Sequence, residues 1–397
     1  MKTVSRMVTA TILSMSLLTV MAAAAIAPAM GIIKQHFAGS SDMEVQLIIS
    51  LPALFIIVTN LCFLPISRWL RTRTIAVIGL SLYVFAGGGC FFIDNLSLLL
   101  VMRALLGVSV GLIMPLSTGL LAYYFPPEEQ ARMMGLSAAM NQMGGVVGTL
   151  MAGILASIEW NYSFLVYVFG LIALLMICRW LPNEKLDSSN KRGKAFEPRQ
   201  LLKFHPSVLG MLLLTIVFFV FPTNFAMISS RKLHFDTTTI TILMVALDLL
   251  AFFVGLVFGK LMHKYRVSIK YFPPVALILG YALYAEADGF LMVLIGSAFI
   301  GLGNGIGVPY LLTIASIKGG KNSATTVMPL LSASLYLGQF ISPVIVLPLS
   351  EVLFGADDIV GPYRVAVLIA LVYLVQVWCT RHFQSLPPEN KCEEAGK

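Results

Sequence analysis

The sequence predicts an all-α membrane protein, with twelve transmembrane helices in two pseudo-symmetric six-helix bundles. Three observations carry this. Hydrophobic residues make up 58% of the 397, and charged residues only 12%, too few to cover a soluble protein of this size. The apolar residues fall in twelve runs of about 18 to 29 residues, enough to cross ~30 Å of hydrocarbon as helices. Barrel strands would be ~10 residues long with alternating polarity. Finally, a set of Gly, Pro and Asp markers recurs at one offset of 194, close to half the chain.

The first span, 7–33, follows Lys2 and Arg6 and contains the small-residue string AAAAIAPAM. A secretory signal shows a similar pattern, but this run is about twice as long as a signal's apolar region, so it reads as a retained helix. Spans two and three cover 45–66 and 74–93, and Asp42 lies just outside the second. Span four, 96–124, holds the string RALLGVSVGLIMP, and span five, 132–157, holds GLSAAMNQMGGVVGTLMAG. Span six covers 161–181. Polar residues then run from Asn183 to Pro206 and read as a linker. Span seven is 207–229. Span eight, 238–259, contains Asp248, with Asp236 just outside it. Spans nine to twelve cover 269–286, 290–316, 323–350 and 362–381. The expected organisation is a first bundle over 1–182, a cytoplasmic linker over 183–206, a second bundle over 207–383 and a cytoplasmic tail over 384–397.

The net charge of +8 does not point to nucleic acid, because Lys and Arg sit in short loops between apolar runs. With a cytoplasmic N-terminus, the external segments hold only Lys34, Arg231, Lys232 and Arg364 of the 27 basic residues, and Arg103 lies in or near the membrane. This asymmetry puts both termini in the cytoplasm. Compact loops suit a multi-pass protein of a bacterial inner membrane. The five cysteines form no CxxC pair, the five histidines lie near span ends or in loops, and no GxxxxGK[ST] occurs. No metal site, cofactor or ATP motor is therefore expected.

At the 194 offset, Gly107, Gly111 and Pro115 land on Gly301, Gly305 and Pro309. Pro28 lands on Pro222, Gly144 on Gly338 and Asp42 on Asp236. Six spans is an even number, so the two bundles share one orientation, related by an axis along the membrane normal, as in parallel-repeat transporters. Glycines at a four-residue step let helix backbones approach closely, and proline allows a local bend.

Three strings carry a resemblance to the major facilitator superfamily, and within it to the twelve-helix drug–proton antiporters. Arg103-x3-Gly107-x3-Gly111 is similar to the family's fourth-helix motif. The resemblance implies that Arg103 faces the central cavity and takes part in proton coupling. Gly135, Gly144, Gly148 and Gly153 fall on the spacing of the antiporter motif of span five, with Thr149 where that motif has proline and Ala152 in place of one glycine. Pro28 matches the last proline of the first-helix signature, with Ala25 in place of the earlier one. The loop LPISRWLRTRT departs from the family pattern. Leu64 and Arg71 replace its two glycines and Arg68 its aspartate, while its counterpart GKLMHKYR keeps Gly259 and offers His263 for the acid. The span-five motif implies export, through a tight seal against a helix of the other half. Plain close packing is the alternative reading.

Two intramembrane charges stand out. Arg103 either faces the cavity or reaches outward to the headgroups. Asp248 is about eleven residues from either end of its span, where a carboxylate costs a few kcal/mol or more unless paired, hydrated or protonated. It is the second candidate for proton coupling or for binding a cationic part of a substrate; the alternative is a structural, hydrogen-bonded Asp. Substrate-binding candidates are Asn141, Gln142, Asn224, Asn304, Tyr336 and Gln339, each of which can equally be an interhelical hydrogen-bonding group. The expectation is a monomeric, proton-coupled exporter of small apolar or amphipathic molecules by alternating access. A solute importer or sugar-efflux permease on the same fold is the alternative. A membrane enzyme or receptor is more distant, because no catalytic cluster or large extramembrane domain is encoded.

Overall fold

Caps and prolines set the helix boundaries. The computed structural model describes residues 5–125, 127–183, 198–265, 268–319 and 323–380, and every regular element among them is helical. Helix α1 (Arg6–His36) starts at Ser5, whose hydroxyl accepts from the Met7 amide at 3.3 Å. Around Pro28 the helix is interrupted: regular α-helix ends at Ala24, a tight 3₁₀ turn covers Ala27–Ala29, and helix resumes at Met30. Helix α2 (Asp42–Trp69) opens on a capping box, with the Ser41 hydroxyl accepting from the Glu44 amide and the Glu44 carboxylate accepting from the Ser41 amide. In α3 (Thr72–Phe92) the last turns widen over Val84–Gly88 and tighten over Gly89–Phe92. Asn95 caps α4 (Leu96–Tyr124) by accepting from the Leu98 amide at 3.1 Å. Then come α5 (Pro127–Ala156) and α6 (Trp160–Trp180).

The second set is α7 (Pro198–Lys232), α8 (Thr237–Tyr265), α9 (Ile269–Ala285), α10 (Phe290–Gly319), α11 (Ser323–Phe354) and α12 (Gly361–Cys379). Eleven of the twelve are long and apolar enough to cross a membrane, and α9 is the short one. At about 1.5 Å per residue it reaches roughly 25 Å, less than ~30 Å of hydrocarbon. The boundary between linker and bundle also moves. Helix α7 begins at Pro198, inside the stretch expected as linker, and Phe204, at 4% exposure, is already packed. The rest of that linker, 184–197, and the expected tail, 384–397, lie outside the described residues.

Contacts divide the chain into two compact units. One holds α1 to α6 with Phe219–Leu249 and Gln339–Pro348. The other holds the remainder of α7, α8 and α11 with α9, α10 and α12.

The 194-residue repeat is visible in matching close approaches. A β-carbon on Gly107 would overlap the Pro52 carbonyl of α2, and one on Gly111 would sit 2.6 Å from Thr59 Cβ. Gly305, the counterpart of Gly111, also lies close on α8, where a β-carbon would stand 2.9 Å from the Ala251 carbonyl oxygen. Gly144 leaves no room against the Leu17 carbonyl of α1, and Gly338 meets Thr215 and the Leu212 carbonyl of α7. Both backbones would have to part to admit a methyl group. At the helix starts, Asp42 is the first residue of α2. Asp236 precedes α8 and accepts from the Thr239 hydroxyl at 2.5 Å, which holds its carboxyl below the usual range.

Candidate functional site

Arg103 is fully buried, at 0% exposure. Its Nε donates to the Ile48 carbonyl at 2.7 Å, one terminal nitrogen to the Tyr167 hydroxyl at 2.7 Å and the other to the Ala22 carbonyl at 3.1 Å. Each acceptor has a local cause. Pro52 stands four residues after Ile48 and has no amide hydrogen to offer that carbonyl. Ala22 lies in the last turn before α1 breaks at Pro28, where carbonyls lose their helical partners. Tyr167 adds a second donor to Ala22, at 2.8 Å, and its ring lies 5.4 Å from the Arg103 guanidinium. One side chain of α4 thus ties together α1, α2 and α6. The resemblance implied an arginine facing the central cavity; in the structure a proline in the neighbouring helix leaves a carbonyl without its helical donor, and the guanidinium supplies one.

The second half meets the same problem differently. Pro222 frees the Phe218 carbonyl of α7, and the Tyr281 hydroxyl donates to Phe218 at 3.2 Å and to Val217 at 2.7 Å. At the position equivalent to Arg103 stands Ser297, whose hydroxyl pairs with that of Tyr284 at 2.6 Å.

Two seams join second-half helix segments to the first six. The first runs between α2 and α7. Both terminal nitrogens of Arg231 donate to the Asp42 carboxylate, at 2.9 and 3.0 Å, and Lys34 reaches the same carboxylate at 3.0 Å. One turn further along α2, Gln46 donates to the Asn224 side chain at 2.7 Å, both groups buried. Gln339 of α11 donates to the Ile49 carbonyl at 3.2 Å. Between them, Gly31 brings α1 against the Ala226 carbonyl.

The second seam runs between α5 and α8. A β-carbon on Gly153 would overlap the Thr241 side chain. One turn back along α5, the Thr149 hydroxyl donates to Asp248 Oδ2 at 3.2 Å. Thr149 is buried and Asp248 half-buried.

A family model described as Major Facilitator Superfamily matches residues 12–343. The chain belongs to this superfamily. It is a multi-pass membrane transporter of small molecules and not an enzyme. Among its relatives, Quinolone resistance protein NorA of Staphylococcus aureus (strain MRSA252) is 26% identical over 338 residues, covering 78% of this chain and 80% of NorA. Riboflavin transporter RibZ of Clostridioides difficile (strain 630) is 24% identical over 150 residues, 37% of this chain and 33% of RibZ. The solved nucleoside transporter NupG superposes with a TM-score of 0.76 at 11% identity, covering 96% of this chain and 100% of NupG. The xylose transporter XylE from E. coli, in a partially occluded inward-open conformation, gives 0.72 at 13% identity, covering 94% and 97%. At such identities the structural likeness speaks for the fold alone.

Within this superfamily member the residues expected to act together are dispersed. Asn224 and Gln339 meet α2 at positions three residues apart, and Asp248 meets α5. Asn141 instead accepts from Thr19 of α1 at 2.9 Å, one helical turn from a buried Ser16–Ser137 pair at 2.7 Å. Gln142 is exposed, and Asn304 and Tyr336 are half-buried. The described glycines of α5 divide: Gly144 and Gly148 face α1, and Gly153 faces α8. The surroundings of Gly135 lie outside the described residues. Gly301 is buried, and Pro115 and Pro309 lie inside α4 and α10. No metal-ligand cluster exists among the described residues. The residue that sequence reasoning missed is Gln46. Near the start of an apolar run it resembles a headgroup-level residue, and only the seam with Asn224 reveals its burial.

Proposed function

We propose that this transporter is a proton-coupled exporter of small apolar or amphipathic compounds, quinolones among them, in a bacterial inner membrane with both termini cytoplasmic. It works as a monomer by alternating access, the two six-helix halves parting on one side as they meet on the other. The observation that carries the reading is Asp248, half-buried near the middle of α8, which accepts from the Thr149 hydroxyl of the opposite half. A carboxylate so placed gains stability from a proton when the seam is dry and loses it when water arrives. That is the property a coupling site needs. Arg103 has no such freedom, since its donors are engaged by three backbone and side-chain oxygens of its own half. It serves the cycle as a brace.

The α2–α7 seam, with Lys34, Asp42 and Arg231 at its end, is then the external gate in its closed form, and the α5–α8 seam continues it inward. The name of the NorA relatives favours drug efflux over solute uptake. The experiment is norfloxacin transport in proteoliposomes under an imposed pH gradient, comparing the native chain with Asp248→Asn. Gradient-driven transport that Asp248→Asn abolishes supports the reading; unaltered gradient-driven transport in the variant removes Asp248 from it.

A further inference from the structure

Several threonines of these helices share a habit. Thr11, Thr215, Thr223, Thr241 and Thr313 each turn their hydroxyl back to the carbonyl four residues earlier, all at 2.7 Å. Thr149 departs from it, its hydroxyl reaching across to Asp248 of α8. The departure occurs where the two helices are clamped, one turn from the Gly153–Thr241 contact that allows no added methyl. It also occurs at a position where a proline would offer no hydroxyl.

We propose that Thr149 is a positioning residue that reports the protonation state of Asp248 to α5; this rests on the assignment of Asp248 as the coupling carboxylate. With Asp248 ionised, the Thr149 hydroxyl donates to it and the seam is bonded across. When a proton from water arrives on the carboxyl, the neutral acid becomes a weaker acceptor than the carboxylate was. The threonine hydrogen then turns to the Gly145 carbonyl of its own helix, as its peers do, and the cross-helix bond is gone. Proton binding thereby loosens α5 from α8 while Gly153 keeps the two in register for reclosure.

The surroundings suit a switch with one partner. Along α8 the next charged side chains are Asp236 and Lys260, each twelve residues from Asp248. Along α5 the nearest is Arg132, and Glu159 lies past the helix end. Helix α10, which meets α8 at Ala251, carries no charged side chain before Lys318. Arg103 is committed to Ile48, Tyr167 and Ala22. Among the described charged side chains of α4, α5, α8 and α10, none bonds to the Asp248 carboxylate.

The test uses the full chain in lipid nanodiscs with native cysteines exchanged for alanine. Spin labels are placed at the exposed positions Ser157 and Thr238, on the adjoining ends of α5 and α8, and the distance distribution is followed against pH. The native residue at 149 should give a pH-dependent distance, and Thr149→Ser, which keeps the hydroxyl, should match it. Thr149→Val keeps the shape and loses the donor, so the cross-helix bond cannot form and the distance should stay at its low-pH value at every pH. If Thr149→Val titrates as the native protein does while Asp248→Asn abolishes the response, Thr149 is not the reporter and Asp248 stands. If the response survives Asp248→Asn unchanged, the coupling assignment itself falls, and with it this inference.

Discussion

The carbonyl of Ile48 receives the Nε–H of Arg103 at 2.7 Å because Pro52, four residues on, has no amide to give it. A charge two turns into a membrane helix thus has a backbone explanation. Replacing Arg103 by Met leaves this carbonyl orphaned, a loss of about 1–3 kcal/mol for a buried polar group. Pro52→Ala restores the amide and keeps the backbone on which Gly107 packs. In that background Arg103→Met should cost about 1 kcal/mol less, read as thermal unfolding in detergent. Equal costs in both backgrounds would mean that the proline is not what the arginine answers.

Gly144 and Gly338 occupy equivalent places in the two halves, each against the backbone of the first helix of its half. Alanine at either should destabilise by about 1–3 kcal/mol, the range for overpacking a tight contact. Gly119 has nothing within 4 Å of where a β-carbon would stand, so Gly119→Ala should leave the unfolding temperature unchanged. A neutral Gly338→Ala beside a damaging Gly144→Ala would break the equivalence of the halves.

The Asp42–Arg231 pair is bidentate but more than a third exposed on both sides. Such pairs contribute about 0–1 kcal/mol, so the proposed gate would be biased rather than locked. Lys34 remains on Asp42 when Arg231 departs, which spares the carboxylate a bare state. Spin labels at Ala38 and His234 should show a several-fold larger separated population in Arg231→Ala, and high salt should produce part of that change in the native protein. Lys34→Ala should do less. A distance distribution indifferent to Arg231 would remove this pair from the gate.

Gly153→Ala presses a methyl group on Thr241, whose Cβ cannot turn away. The α5–α8 seam should part at that point, with labels at Ser157 and Thr238 moving apart at every pH. An unchanged distance would show that the contact is not a stop.

The twelve elements and their order were legible because membrane helices announce themselves by length. What misled was local. The linker hid the first turns of α7, since Pro198–Pro206 is polar yet helical, and α9 fell just short of a full crossing. Arg103 was visible as an anomaly, but its cause, Pro52, sits in a different helix. The polar candidates scattered for a similar reason: Asn141 and Asn224 look alike in sequence, yet one faces Thr19 within its half and the other faces Gln46 across a seam. Which face of a helix meets which neighbour is a tertiary fact.

The most direct test of the account is substrate-induced proton movement. Proteoliposomes holding the native chain and a pH-sensitive dye, given an acid interior and then external norfloxacin, should show the interior turning alkaline as drug enters and protons leave. Asp248→Asn should abolish that signal. Norfloxacin entry with no change in interior pH, in liposomes whose proton leak is shown to be slow, would contradict proton-coupled export.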